Sequence, residues 1–211
     1  MTRVMMMNIS DVTEEDYRRL YLRSDLSRQK KADRYLRRED RIRCICAGQL
    51  LRFALESADF QVKIGPYGKP EVKDRPDFQY NLSHSGNWVV IGCASTPVGI
   101  DVEEMDWNPG KEKLSRRFFT PDEQDYVFCQ TPGEIAQRFY EIWTAKESYL
   151  KYLGIGLQKA LDSFSVLQLK SPKRFTLQPE PGYCLSIWTE DEAYDLKSVA
   201  VSDLLTAAEI K

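Results

Sequence analysis

The chain has 211 residues, 42% of them hydrophobic and 29% charged, with a formal net charge of −2. Such a chain is long enough to bury a sizeable core as one large domain or two small ones. No apolar run approaches the roughly 18 residues that span a bilayer, and the slight negative charge speaks against a nucleic-acid-binding protein. The opening MTRVMMMNIS lacks the long apolar segment and cleavage site of a signal peptide, so it reads as a first β-strand in a cytoplasmic protein.

A helix is expected over 12–23, where Thr13 and Asp16 make a capping signal. Eight basic residues crowd between Arg28 and Arg43, either as a solvated helix face or as a site for a phosphate-bearing ligand. Segment 27–58 reads as one or two helices, with Ala47, Leu50, Leu51, Ala54, Leu55 and Ala58 forming an apolar stripe. A Gly- and Pro-rich loop, IGPYGKPEV, follows. Trp88 to Ile91 is a strand preceded by a polar loop, Ser83 to Asn87. It is expected to form an antiparallel hairpin with the strand Val98 to Glu103. After a loop at Trp107 to Gly110, helices return. Thr120, Pro121 and Glu123 mark one start, and 134–153 is the longest helix candidate, ending at Gly154. SFSVLQL, FTLQP, YCLSIWTE and LKSVAVSDL read as strands, with no internal repeat. The sum is an α+β fold with a seam between halves 1–103 and 104–211.

The five cysteines have no CxxC spacing and read as reduced structural thiols. The chemistry concentrates elsewhere. In VGIDVEE, strand alternation puts Asp101 and Glu103 on one face and Val102 on the other. Paired carboxylates repel and call for a cation, and Mg²⁺ commonly combines one or two carboxylates with substrate phosphates. In FYEIWTAKESYLKYLG, Trp143, Glu147 and Lys151 form one helical stripe, which suits a third metal-binding acid followed by a phosphate-binding ammonium. Taken singly, these are more simply read as solvated acids at a strand end and an ordinary Glu–Lys surface pair. His84, the one histidine, lies among small donors that can wrap a phosphate. GIGLQK at Gly154 lacks a third glycine and follows a helix, so it is no dinucleotide fingerprint.

The ordered series YGKP, NLSHSGNWV, VGIDVEE, RFFTPDE, FYEIWTAKESYLKYLGIGL and DSFSV resembles the 4′-phosphopantetheinyl transferases of the surfactin-synthetase-activating (Sfp) type, from about Arg28 to Val166. The resemblance implies two similar α+β halves in a pseudo-twofold arrangement, with coenzyme A in the cleft between them. It implies Mg²⁺-dependent transfer of the 4′-phosphopantetheine arm to a serine of an apo acyl or peptidyl carrier protein, releasing adenosine 3′,5′-bisphosphate, by a monomer. Asp101, Glu103 and Glu147 match the metal-binding acids, and Lys151 the lysine near the pyrophosphate. Ser83 and His84 match the loop that contacts phosphates. Gly68, Lys69 and Pro70 match the adenine-side loop, and Arg28 and Lys31 more loosely the 3′-phosphate site. Cys44 stands where a relative carries a hydroxyl. Catalytic roles then fall to Glu147, Lys151, Asp101 and His84. The competing readings are another Mg²⁺-dependent nucleotide transferase, a coenzyme A binding module without activity, and a nucleic-acid scaffold. Neither nucleic acid nor membrane is an expected partner.

Overall fold

A computed structural model describes residues 1–57, 59–129 and 132–207. Ala58, the last position of the expected apolar stripe, lies outside them. The elements are β1 (Thr2–Asn8), α1 (Glu14–Leu22), α2 (Leu26–Asp33), α3 (Arg38–Leu55), β2 (Val62–Ile64), β3 (Pro70–Val72), β4 (Gln79–Ser85), β5 (Trp88–Ala94) and β6 (Val98–Glu104). There follow α4 (Pro109–Phe118), α5 (Pro121–Phe128), α6 (Ile135–Leu153), β7 (Lys173–Leu177), β8 (Tyr183–Thr189), β9 (Tyr194–Ser198) and α7 (Val201–Ala207). Among the described residues, no helix is long and apolar enough to cross a membrane.

The fold is α+β and has two sheet-plus-helix halves. The first sheet runs β4-β5-β1-β9 and the second β6-β8-β7, while β2 and β3 make a separate hairpin. Alternation along each strand explains the layering. Val4, Met6, Trp88 and Val90 of the first sheet pack against Val98, Ile100, Val102, Leu185 and Ile187 of the second. Their sequence neighbours Met5, Met7, Val89 and Ile91 face the other way, into a core built with α3. On the second sheet Cys184 and Trp188 join the core of α6. The order of layers is therefore helix, sheet, sheet, helix, and strands covered on both faces become apolar throughout. Cys44, Cys46, Cys93 and Cys184 are buried thiols within these cores, and Cys129 is exposed.

Several local expectations hold. Thr13 and Asp16 form a capping box on α1, as do Thr120 and Glu123 on α5, which has Pro121 in its first turn. Segment 27–58 contains two helices, and α6 ends where Gly154 turns left-handed at φ 68°.

Other expectations are corrected. Strand β5 does not pair with β6, because β4 and β1 already occupy both its edges. Residues 83–85 belong to strand β4, leaving only Gly86 and Asn87 as the turn. SFSVLQL is not a strand: 161–163 form a 3₁₀ turn, and the next backbone groups serve the start of α5. There Ser165 Oγ donates to Asp122 and the Val166 N–H to Glu123. LKSVAVSDL divides into β9 and α7, since Asp203 accepts the Ala200 N–H and starts a helix. The sheets also cross the expected 103/104 seam. β6 lies in the second sheet, and β9 returns to pair parallel with β1 in the first.

Candidate active site between the two sheets

Strand β6 places its apolar residues, Val98, Ile100 and Val102, in the core between the sheets. Gly99, Asp101 and Glu103 consequently face α6. Helix and strand approach unusually closely there. A Cβ on Gly99 would collide with the Ser148 carbonyl and the Tyr152 backbone nitrogen, so only glycine admits the helix at this distance. This brings the last turns of α6 over the acids. Lys151 Nζ lies 2.6 Å from Asp101 Oδ1 and 3.2 Å from Ser83 Oγ. Asp101 is 4% exposed, and its other oxygen, Oδ2, is buried without a hydrogen-bond partner.

The free edge of β6 faces the free edge of β4, and side chains replace a backbone ladder. The Ile100, Val102 and Glu104 N–H groups donate to Asn81 Oδ1 (2.9 Å), Ser83 Oγ (3.3 Å) and Ser85 Oγ (3.0 Å), each pair 19 residues apart in sequence. The two serines also donate to acids, Ser83 to Asp101 Oδ1 and Ser85 to Glu103 Oε2, both at 2.8 Å.

Electrostatics follow from this crowding. Burial first, and then repulsion by Asp101, push the carboxyls of Glu103 and Glu147 above the usual range. The Lys151 ammonium opposes both shifts. Three carboxylates thus crowd around the Lys151 ammonium, with Lys111 acting more weakly on Glu103. Among the described residues no group of three His, Cys, Asp or Glu side chains is gathered as a finished metal cage. The donor set nonetheless fits an oxygen-seeking cation, because it offers hard carboxylates, an orphaned buried oxygen and uncompensated negative charge.

His84 is exposed on the opposite face of β4, the α3 side, toward which Tyr80 and Leu82 also point. Partial desolvation, then the Arg43 and Lys151 cations, hold its imidazole below the ordinary value. Arg43 itself is anchored by Asp40 at 2.6 Å and by the Gly86 carbonyl. Arg28 and Lys31 lie on α2, which packs on α3. The Arg28 side chain crosses Gly48, where a Cβ would stand 2.9 Å from Nε. Cys44 is buried in the core on α3.

Gly68, at φ 87°, and Lys69 lie in the turn between β2 and β3, and Pro70 opens β3 opposite Ile64. Lys69 reaches across to the end of α6, donating to the carbonyls of Lys151 (2.8 Å), Val98 (3.1 Å) and Tyr152 (3.5 Å). It caps orphan helix carbonyls and fastens the hairpin to the helix that carries Glu147 and Lys151. Burial pushes Lys69 down to about 8.

Two features escape a reading by motif. Lys146 is completely buried, ion-paired with the equally buried Glu123 at 2.7 Å, and donates to the Leu161 and Phe164 carbonyls. Its place in the TAKES run is thus structural: it ties α6, α5 and the DSFSV segment together. Ser85 was not legible as a site residue because its partner, Glu103, stands on a strand in the other sheet. At the end of α4, Phe119 is buried, its ring 5.4 Å from the Phe139 ring, whereas Arg116, Arg117 and the part-exposed Trp107 are accessible.

Residues 97–202, spanning β6 to α7, match the profile of the 4′-phosphopantetheinyl transferase superfamily. A 4′-phosphopantetheinyl transferase of Bacillus subtilis is 34% identical over 87% of this chain and 84% of its own. The 4′-phosphopantetheinyl transferase Sfp of Bacillus subtilis strain 168 is 31% identical over 84% of this chain and 88% of its own. The enzyme gsp of Aneurinibacillus migulanus, also so named, is 32% identical over 68% and 62%. With coverage of this extent and the acids, lysine and serines assembled on β4, β6 and α6, the chain belongs to the 4′-phosphopantetheinyl transferase superfamily, on its Sfp-like branch.

Proposed function

We propose that this site binds coenzyme A together with Mg²⁺ and moves the 4′-phosphopantetheine arm to a serine hydroxyl of an apo acyl or peptidyl carrier protein, releasing adenosine 3′,5′-bisphosphate. The transferase activity is that of the family. The assignment of residues rests on one observation above all: the buried, unpartnered Oδ2 of Asp101 beside Lys151.

Asp101, Glu103 and Glu147 hold the metal, which when bound supplies Lewis acidity and charge neutralisation at a pyrophosphate. Lys151 meets the pyrophosphate oxygens, with Ser83 beside it holding Asp101 in place. His84, Arg28 and Lys31 serve the 3′-phosphate from the α3 side. Gly68, Lys69 and Pro70 flank the adenine, with Lys69 doing so as the clamp on α6. Coenzyme A then lies across the junction of the two halves. Phosphoryl transfer demands chiefly positioning and charge neutralisation, and these residues supply both. Glu147, whose carboxyl is pushed upward, is the candidate to accept the serine proton directly or through water. The carrier docks on α4, where Lys111, Lys113, Arg116 and Arg117 offer positive charge to an acidic partner beside Trp107. The working unit is a cytoplasmic monomer.

The test is the intact mass of an apo-carrier incubated with this protein, coenzyme A and Mg²⁺, with and without EDTA. A gain of one phosphopantetheine arm, abolished by EDTA, is the expected result. No gain on several unrelated carriers, with coenzyme A still bound, overturns the reading in favour of a binding module.

A further inference from the structure

We infer that Ser85, and Ser83 in the same manner, are positioning residues that select which oxygen of Glu103 and Asp101 is offered to the cation. The inference rests on the metal reading of the preceding section. A serine hydroxyl carries one proton and accepts through two lone pairs. At Ser85 a lone pair takes the Glu104 N–H at 3.0 Å, and the proton goes to Glu103 Oε2 at 2.8 Å. At Ser83 the Val102 N–H and the Lys151 ammonium approach at 3.3 and 3.2 Å. Both of these groups can only donate, so the Ser83 proton is directed to Asp101 Oδ1 at 2.8 Å.

The same unit is therefore built twice, two residues apart on each strand. A β4 serine reads the backbone of β6 and fixes the carboxylate of the preceding β6 residue. Tying Oδ1 leaves Oδ2 of Asp101 as the oxygen without a partner, as observed. Tying Oε2 of Glu103 leaves Oε1 as the oxygen that Ser85 does not hold. Because the hydroxyl that orients the acid also joins the two sheets, each carboxylate's rotamer is set by the register of the halves rather than by its own strand. The adjoining step at Asn81 joins Ile100 without touching an acid, which marks the serines as the steps with a second task. Groups that orient metal ligands from behind typically change metal affinity about 10–100-fold when removed.

The experiment is Mn²⁺ binding followed by water-proton relaxation, with coenzyme A present, on the full chain and on Ser85→Ala, Ser85→Thr, Glu103→Gln and Asp101→Asn, beside thermal unfolding of each. The expected result is about a tenfold loss of Mn²⁺ affinity in Ser85→Ala. Ser85→Thr, which keeps both the proton and the lone pair, should bind close to the unaltered chain. Loss of the sheet-to-sheet bond alone would lower the unfolding midpoint and leave Mn²⁺ affinity in place, and that pattern overturns the inference. So does a Ser85→Thr variant as weak as Ser85→Ala. Weakened binding in Glu103→Gln and Asp101→Asn, with Ser85→Ala unaffected, discards the serine role and keeps the metal site. Unchanged binding in both acid variants discards the metal site and the serine role with it.

Discussion

Lys151 Nζ stands 2.6 Å from one oxygen of Asp101, while the other oxygen of that carboxylate is buried with no partner. A half-satisfied buried carboxylate is costly, and the arrangement persists because Gly99 and Lys69 hold α6 against β6. Substitution of Asp101 by Ala should abolish arm transfer to an apo-carrier, read as intact mass. Substitution of Lys151 by Met removes a preorganised cation and should lower kcat about 10²–10³-fold.

His84 gives a direct report on anion binding, since it is the chain's sole histidine. Its imidazole titrates below the ordinary value in the free protein, through desolvation and the Arg43 and Lys151 cations. A phosphate beside it favours the charged form and should move the titration upward. The ¹H–¹³C signal of the imidazole followed across pH, with and without adenosine 3′,5′-bisphosphate, measures both values. An unmoved titration would place the nucleotide elsewhere.

The Lys146–Glu123 pair predicts a stability effect distinct from catalysis. Both side chains are fully buried, so Lys146→Met strands a carboxylate in the core. The expected cost is about 3–5 kcal/mol, because one uncompensated buried charge remains. For a chain of this size that lowers the unfolding midpoint by about 10 °C or more, measurable by circular dichroism.

Lys69 carries a pH signature. Its ammonium is held at about 8 by burial, below the unfolded value of 10.5. Between those values the unfolded chain binds more protons than the folded one, so this group adds stability as pH rises through the window. Urea unfolding of the unaltered chain should therefore gain on Lys69→Met from pH 8 to pH 10. A constant difference between the two would contradict the assignment.

Replacing Arg116 and Arg117 by Glu reverses charge on α4, away from the acids. The KM for carrier should rise while the KM for coenzyme A stays unchanged, and the steady-state constants for the two substrates check this. An unchanged carrier KM removes α4 as the docking face.

Much of this was legible in the sequence where physics acts locally. Thr13 with Asp16, and Thr120 with Glu123, announce helix starts because cap and partner lie within one turn. The alternation in VGIDVEE correctly separates Val102 from Asp101 and Glu103 because a strand has a period of two. What escaped was non-local. That β5 has no edge left for β6 depends on β1, and that β9 joins the first sheet depends on β1's other edge. Lys146 and Ser85 take their meaning from Glu123 and Glu103, and no short-range pattern marks either pairing.

The return of β9 to the first sheet has a consequence for how the chain can be divided. A cut after Glu104 would leave the first fragment with β6 but without β9, and the second with β9 but without β6. Each piece would carry a strand that belongs to the other and expose the edge that strand should cover. The molecule therefore resembles two clasped hooks more than two beads on a string. Fragments made at that point would regain structure only in each other's company, through intermolecular strand exchange.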